Sequence, residues 1–213
     1  YPFPTDLTWV GTTSCTITAT DAGGNSLSQT LGVTVLGPTL SASVSPTTLA
    51  AGQPLTLTTS STNIASLRLD CTGAVPVVNE PLAVGANQVR SFTTDPAWAG
   101  TTTCTVTGTN SAGLTLTRSL SFTVTVPTLT AAGSPASVAS GQSVNFTTAT
   151  TNASSLAYAC TGAWTKSGSL PTGSATTAVP TTGAAAGTAS CVLTATDAAG
   201  NQATKTLSVG ITL

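Results

Sequence analysis

The chain has 213 residues, of which only 5% are charged against roughly 25% in an ordinary globular domain, and it carries a net charge of −1 with no histidine. Five scattered basic residues, Arg68, Arg90, Arg118, Lys166 and Lys205, give no electrostatic footprint for nucleic acid or an anionic bilayer. Mean hydropathy is +0.32, yet no run approaches the roughly 18 to 20 consecutive apolar residues of a membrane helix, so membrane insertion is not expected.

The chain opens on Tyr1-Pro2-Phe3-Pro4 with no initiator Met, which reads as a processed product or a segment of something longer. From Cys15 a period of two sets in, with apolar or small residues alternating with threonine, as in a half-buried strand. Asp21-Ala22-Gly23-Gly24-Asn25 supplies turn chemistry, and the returning strand runs to Gly37. The same hairpin recurs without a gap from Cys104 and from Cys191, with Asn110 and Asp197 at the first turn position and Gly113 and Gly200 three residues later. Cys104 lies 89 residues after Cys15, and Cys191 lies 87 after Cys104. A unit of this size is one small sandwich domain. Residues 1–37 are therefore read as the C-terminal part of an incomplete repeat, 38–126 as one complete repeat and 127–213 as another. A lone hairpin is marginal in water, so the apolar positions Ile17, Leu31, Val33 and Val35 need either upstream residues or strands supplied by another subunit.

Gly37-Pro38 opens the second repeat and Val126-Pro127 the third. Strand passes to strand across one proline, a linker with little slack, so successive repeats are expected to form a stiff rod. The first half of each complete repeat also aligns: Pro46 with Pro135, Gly52-Gln53 with Gly141-Gln142, Thr62-Asn63 with Thr151-Asn152, Leu67, Leu69 and Cys71 with Leu156, Tyr158 and Cys160. Three strands are predicted here, broken at Ala51-Gly52 and at Thr62-Asn63. Only the middle segments, roughly 75–100 and 164–187, diverge, and any specificity would sit there.

Two cysteines per repeat, Cys71 with Cys104 and Cys160 with Cys191, fall on inward strand positions, and pairing within each repeat is the simplest connectivity. Zinc is a poor alternative without histidine or a close cysteine pair. Disulfides imply an oxidising, extracytoplasmic location. Cys15 is left over, to pair with residues outside this sequence or with another chain. Trp9 and Trp98 each lie six residues before a hairpin cysteine, while Trp164 lies four after Cys160, where the second repeat has Val75. The two places are predicted to be neighbours, with each tryptophan a core plug over the bridge and a sugar-stacking platform as the alternative.

The repeat length, the opening Ser45-Pro46-Thr47-Thr48-Leu49-Ala50-Ala51-Gly52-Gln53 and the closing Thr196-Asp197-Ala198-Ala199-Gly200-Asn201 hairpin resemble bacterial immunoglobulin-like domains of large secreted and surface proteins. The resemblance implies an all-β chain of tandem sandwiches, serving as an adhesin stalk, an extracellular filament or a spacer in a secreted enzyme. It departs from the antibody pattern, because the first cysteine falls on the third strand, so the bridge would join neighbouring strands C and F of one sheet.

No catalytic chemistry is visible. The acids Asp6, Asp21, Asp70, Glu80, Asp95 and Asp197 fall singly, whereas general acid and base work needs paired groups. Asp70 and Glu80 come nearest to a glycosidase pair, but Asp70 alternates with Arg68, and an ion pair is the better reading. The turn aspartates are read as turn formers, not calcium ligands, and no cofactor is expected. Asn145 and Asn152 fit the glycosylation sequon. Two functions remain. In one, self-associating structural repeats build or decorate a surface filament or sheath, with strand complementation between subunits. In the other, the chain is an adhesin stalk whose tip or variable loops bind a host or cell-surface glycan or protein.

Overall fold

The computed structural model describes residues 9–75 and 77–213; the opening Tyr1-Pro2-Phe3-Pro4 and Asp6 lie outside them. Among the described residues the chain is strand and turn, with 3-10 conformation at Trp9 and at Pro96–Trp98. The first two strands, β1 (Gly11–Thr20) and β2 (Ser26–Val35), pair only with each other.

Eight strands follow: β3 (Thr39–Ser45), β4 (Thr48–Ala50), β5 (Pro54–Thr62), β6 (Ser66–Gly73), β7 (Val77–Leu82), β8 (Gln88–Thr93), β9 (Gly100–Thr109) and β10 (Thr115–Thr125). They form a five-stranded sheet in the order β4-β10-β9-β6-β7 and a three-stranded sheet in the order β3-β5-β8. The remaining strands are β11 (Thr128–Ser134), β12 (Ser137–Ala139), β13 (Ser143–Thr151), β14 (Ser155–Gly162), β15 (Lys166–Leu170), β16 (Ala175–Pro180), β17 (Gly187–Thr196) and β18 (Gln202–Thr212). They repeat the same orders, β12-β18-β17-β14-β15 and β11-β13-β16. First, second and fifth principal strands in one sheet, with third, sixth and seventh in the other, is the immunoglobulin-like arrangement.

One strand was not foreseen. The first predicted strand of each repeat splits at Pro46 and at Pro135, where the ring removes a backbone donor. The residues before the break stay in the three-stranded sheet, and those after it, β4 and β12, cross over to run parallel to β10 and β18. Alternation does the rest. Along β5 and β13 every second residue is buried, including Leu55, Leu57, Val144 and Phe146, and its neighbours face out.

The cysteines fix the centre of each larger sheet. Cys71 sits directly opposite Cys104 on β6 and β9, and Cys160 opposite Cys191 on β14 and β17, and both pairs are disulfide-bonded. Each bridge thus joins adjacent strands of one sheet. Trp164 packs beside its bridge at 2% exposure, within a cluster of Phe146, Leu156, Tyr158, Leu193 and Val209.

The linkers are held from the repeat that follows them. Asn63 and Asn152, both in left-handed backbone at φ 53° and 52°, donate their side-chain amides to the carbonyls of Gly37 and Val126, the residues before Pro38 and Pro127. A further bond joins the two sandwiches: Asn201 Nδ2 donates to the carbonyl of Ala51, a fully buried residue in the turn between β4 and β5, at 2.8 Å.

Each bridge closes a loop of 33 or 31 residues, which corresponds to about 3–4 kcal/mol in the chain-entropy treatment. Replacing Cys160 and Cys191 together by alanine should lower the unfolding free energy of the β11–β18 sandwich by about that amount. Urea denaturation followed by Trp164 fluorescence would read it, and an unchanged midpoint would show that the bridge adds nothing to stability.

Candidate interaction face of the N-terminal hairpin

Strand alternation gives the β1–β2 hairpin two chemically opposite faces. On one, Thr12 meets Thr34 at 3.1 Å, Thr16 meets Thr30 at 3.3 Å, Thr18 meets Ser28 at 2.8 Å and Thr20 meets Ser26 at 2.8 Å, a ladder of cross-strand hydroxyl bonds. The other face carries Cys15, Ile17, Ala19, Leu27, Leu31 and Val33. There Ile17 is 60% exposed, Leu31 49% and Val33 46%, and the Cys15 thiol is exposed and unpaired among the described residues.

The registers show what this face is built for. Cys15 lies opposite Leu31, as Cys104 lies opposite Leu120 and Cys191 opposite Leu207. The residues that answer to Ile17 and Val33 are Val106 and Phe122 in one sandwich and Leu193 and Val209 in the other, all buried. A large aliphatic side chain gains about 1.5–3 kcal/mol when it is taken out of water. The hairpin therefore presents the core-facing surface of a sandwich half. Trp9 is 45% exposed, and Cys15 is unpaired among the described residues. Trp98 is half-buried against the Cys71–Cys104 core, and Trp164 is buried. The two tryptophan places do adjoin, since Val75 and Trp98 line one cavity with both cysteines.

The acids among the described residues are each engaged locally. Asp21 Oδ1 accepts from the backbone N–H groups of Gly23 and Asn25 at 2.9 and 2.8 Å, and Asn25 Nδ2 donates to Oδ2 at 2.9 Å. Asp197 repeats this with Ala199 and Asn201, and Asn110 keeps the two backbone bonds, to Ala112 and Leu114. The glycine at the end of each turn has the positive φ it requires, 85°, 82° and 89° at Gly24, Gly113 and Gly200. Asp70 pairs with Arg68 at 3.4 Å and accepts from the N–H of Asn79, Glu80 pairs with Arg90 at 2.6 Å, and Asp95 caps the 3-10 turn through the N–H of Ala97. Among the described residues no three acids or cysteines converge as a metal site would require.

Sequence reasoning missed the tertiary roles of asparagine. Asn201 joins two sandwiches, and the amides of Asn63 and Asn152 hold the linkers. The signal was present in the repetition of Thr-Asn at 62–63 and 151–152, and in the asparagine shared by the turns at 25 and 201 where the middle copy has Leu114.

No protein-family model matches the chain, and no curated protein sequence is similar to it. Solved structures of tandem β-domains are similar in a general way. A tetra-tandem repeat in the extending region of a large adhesion protein shares 20% identity over 97% of this chain and 58% of its own, with a TM-score of 0.44. A Ca2+-stabilized adhesin that helps an Antarctic bacterium reach out and bind ice shares 20% over 95% and 57%, with a TM-score of 0.38. Protocadherin gamma B2 extracellular cadherin domains 3–6 share 13% over 97% and 58%, with a TM-score of 0.39. This chain spans under three fifths of the length of each.

The turn carboxylates set a pH dependence. Hydrogen bonds from the Asn25 side chain and backbone, followed by those from Gly23 and Gly24, hold Asp21 below the usual carboxylate value. At Asp197 burial pushes upward, but the Asn201 side chain and the N–H groups of Asn201, Ala199 and Gly200 outweigh it, and the net direction is down. A depressed folded pKa means that the stabilisation is complete above the unfolded value near 3.9 and is lost as pH falls through the folded one. In an NMR titration the amides of Ala199 and Asn201 should hold their shifts down to about pH 4 and move below it, while Ala112 and Leu114, bonded to the non-titrating Asn110, stay still. Equal movement at both turns would show that Asp197 is not the titrating group.

Proposed function

We propose that the chain is a structural element of an extracellular bacterial surface filament or sheath. In it, immunoglobulin-like repeats, 38–126 and 127–213 with 1–37 as the closing part of another, stand in a stiff series. The hairpin is the observation that carries this reading. Its register matches that of two finished sandwiches, while its core-facing side is exposed. In both finished cases a cysteine-bearing strand lies antiparallel to the equivalent of β1, so the same kind of strand closes this one. In the filament a neighbouring subunit would supply it, with a cysteine opposite Cys15, by strand addition to an open sheet edge; upstream residues of the same polypeptide would supply it in a stalk.

Other features support the reading. The linker carbonyls held by Asn63 and Asn152, with the Asn201 bond to Ala51, favour a fixed angle between repeats. The two disulfides fit an oxidising compartment. A surface with 5% charged residues and rows of hydroxyls does not keep copies apart, which favours side-by-side packing. The engagement of the acids in turns and ion pairs argues for a non-catalytic role. The stiff linkers equally suit an adhesin stalk, with the closing strand in the same polypeptide and the ligand, a glycan or protein, at its tip.

Electron microscopy of native material, with non-reducing mass spectrometry of the peptide carrying Cys15, separates these. Filaments with Cys15 bonded to a peptide of another subunit are the expected result. Separate rods with Cys15 bonded within one polypeptide would replace the filament reading by the stalk. Dispersed material with a free Cys15 thiol would overturn strand closure altogether.

A further inference from the structure

Between the two sheets of the β3–β10 sandwich lies an apolar cavity of about 270 Å³, lined by Leu57, Leu69, Val75 and Trp98 and by the Cys71–Cys104 bridge. The β11–β18 sandwich shows what is missing. Counted from their first cysteines, Leu57, Leu69 and Val75 stand where that sandwich has Phe146, Tyr158 and Trp164. Those three rings are buried, at 0, 6 and 2% exposure, and Phe146 and Tyr158 lie 5.7 Å apart. Three aliphatic side chains in place of three aromatic ones leave a space of aromatic size.

The other rings of the β3–β10 sandwich, half-buried Phe92 and Trp98 and buried Phe122, line the space and leave it open. The Arg90 guanidinium lies 5.0 Å from the centre of the Phe92 ring.

The mouth of the cavity is also specific to this copy. Strands β7 and β8 are edge strands of opposite sheets, and Glu80 and Arg90 join them across the open side of the sandwich by a 2.6 Å ion pair. Both side chains line the cavity and reach solvent, at 39 and 43% exposure. The register places Glu80 opposite Leu69 and Arg90 opposite Leu57; in the other sandwich Gly168 lies opposite Tyr158 and Thr177 opposite Phe146. There the Tyr158 ring packs so closely on Gly168 that a Cβ would fall 2.8 Å from it. One copy closes this edge with a ring on a glycine; the other closes it with two charged side chains that can part.

We propose that this cavity binds a small, neutral, planar aromatic molecule of indole size. An apolar cavity of about 150 Å³ takes benzene, and the larger space here suits a fused bicyclic ring, the group the neighbouring sandwich seats there as Trp164. The Glu80 carboxylate at the mouth supplies an acceptor for a ring N–H, and Arg90 lies over the aromatic wall formed by Phe92.

The test uses the oxidised chain with 5-fluoroindole as the probe, followed by 19F NMR and by intermolecular NOEs. A saturable bound resonance at one probe per chain, with NOEs to the Leu57 and Leu69 methyls, is expected. Val75→Trp, which writes the other sandwich's plug into this one, should weaken binding at least tenfold, and Val75→Leu, a milder change that keeps the fold, should weaken it in the same direction. Absence of a saturable resonance would overturn the proposal. So would NOEs only to Ile17 and Leu31 of the exposed hairpin face, or undiminished affinity in both variants.

Discussion

The structure depends on the pairing of one cysteine-bearing strand with its two neighbours. In each finished sandwich the strand that carries the second cysteine, β9 or β17, is hydrogen-bonded to the hairpin return on one side and to the strand with the first cysteine on the other. The disulfide pins that second pairing at a single register, and the asparagine or aspartate turn pins the first. A slip of one residue would move every side chain to the opposite face. With both sides fixed, Val106 and Leu193 must point inward, and the smaller sheet has a defined surface to pack on. Among the described residues the N-terminal hairpin shows the turn that pins its own register, with its apolar side exposed.

The features legible in the sequence were those repeated at short range. The alternation after Cys15, Cys104 and Cys191, and the turn with its acid or amide and its glycine, required only neighbours in the chain, and the structure places them as strands and Asx-type turns. The cysteine pairing was legible because each repeat holds two cysteines on inward positions. What could not be read was set by partners distant in sequence or by the meeting of two sheets. The break at Pro46 was visible, but nothing local says that Thr48–Ala50 will cross to the other sheet and lie along β10. Arg68 and Asp70, two residues apart, were read as a pair and lie 3.4 Å apart; Glu80 and Arg90 were not paired, because their contact requires β7 and β8 to be edges on the same side.

The two sandwiches solve the same packing problem with different side chains, and the comparison separates what the fold needs from what it tolerates. The bridge, the apolar character of the inward positions of the larger sheet and the Gly-Gln turn at 52–53 and 141–142 are kept. The aromatic content of the core is moved: Phe146, Tyr158 and Trp164 on one side of the exchange, Phe92, Trp98 and Phe122 on the other. Trp164 fills its place with its ring N–H buried and unpaired among the described residues.

Near-absence of charge ties the sandwich level to the level above it. Without charge, an open β-edge has little to deter another strand, and natural sheets commonly rely on charged edge residues for that protection. Here the few ionic contacts concentrate on β6, β7 and β8, where Arg68, Asp70, Glu80 and Arg90 pair with one another. By contrast, the hairpin strands β1 and β2 carry no charge between Gly11 and Thr20 or between Ser26 and Val35. The hairpin edge thus carries no charge to deter a partner strand. An exposed apolar face, an unprotected edge and a cysteine in bridge register are three separate properties of the same twenty-five residues from Gly11 to Val35, and a closing strand would satisfy all three together.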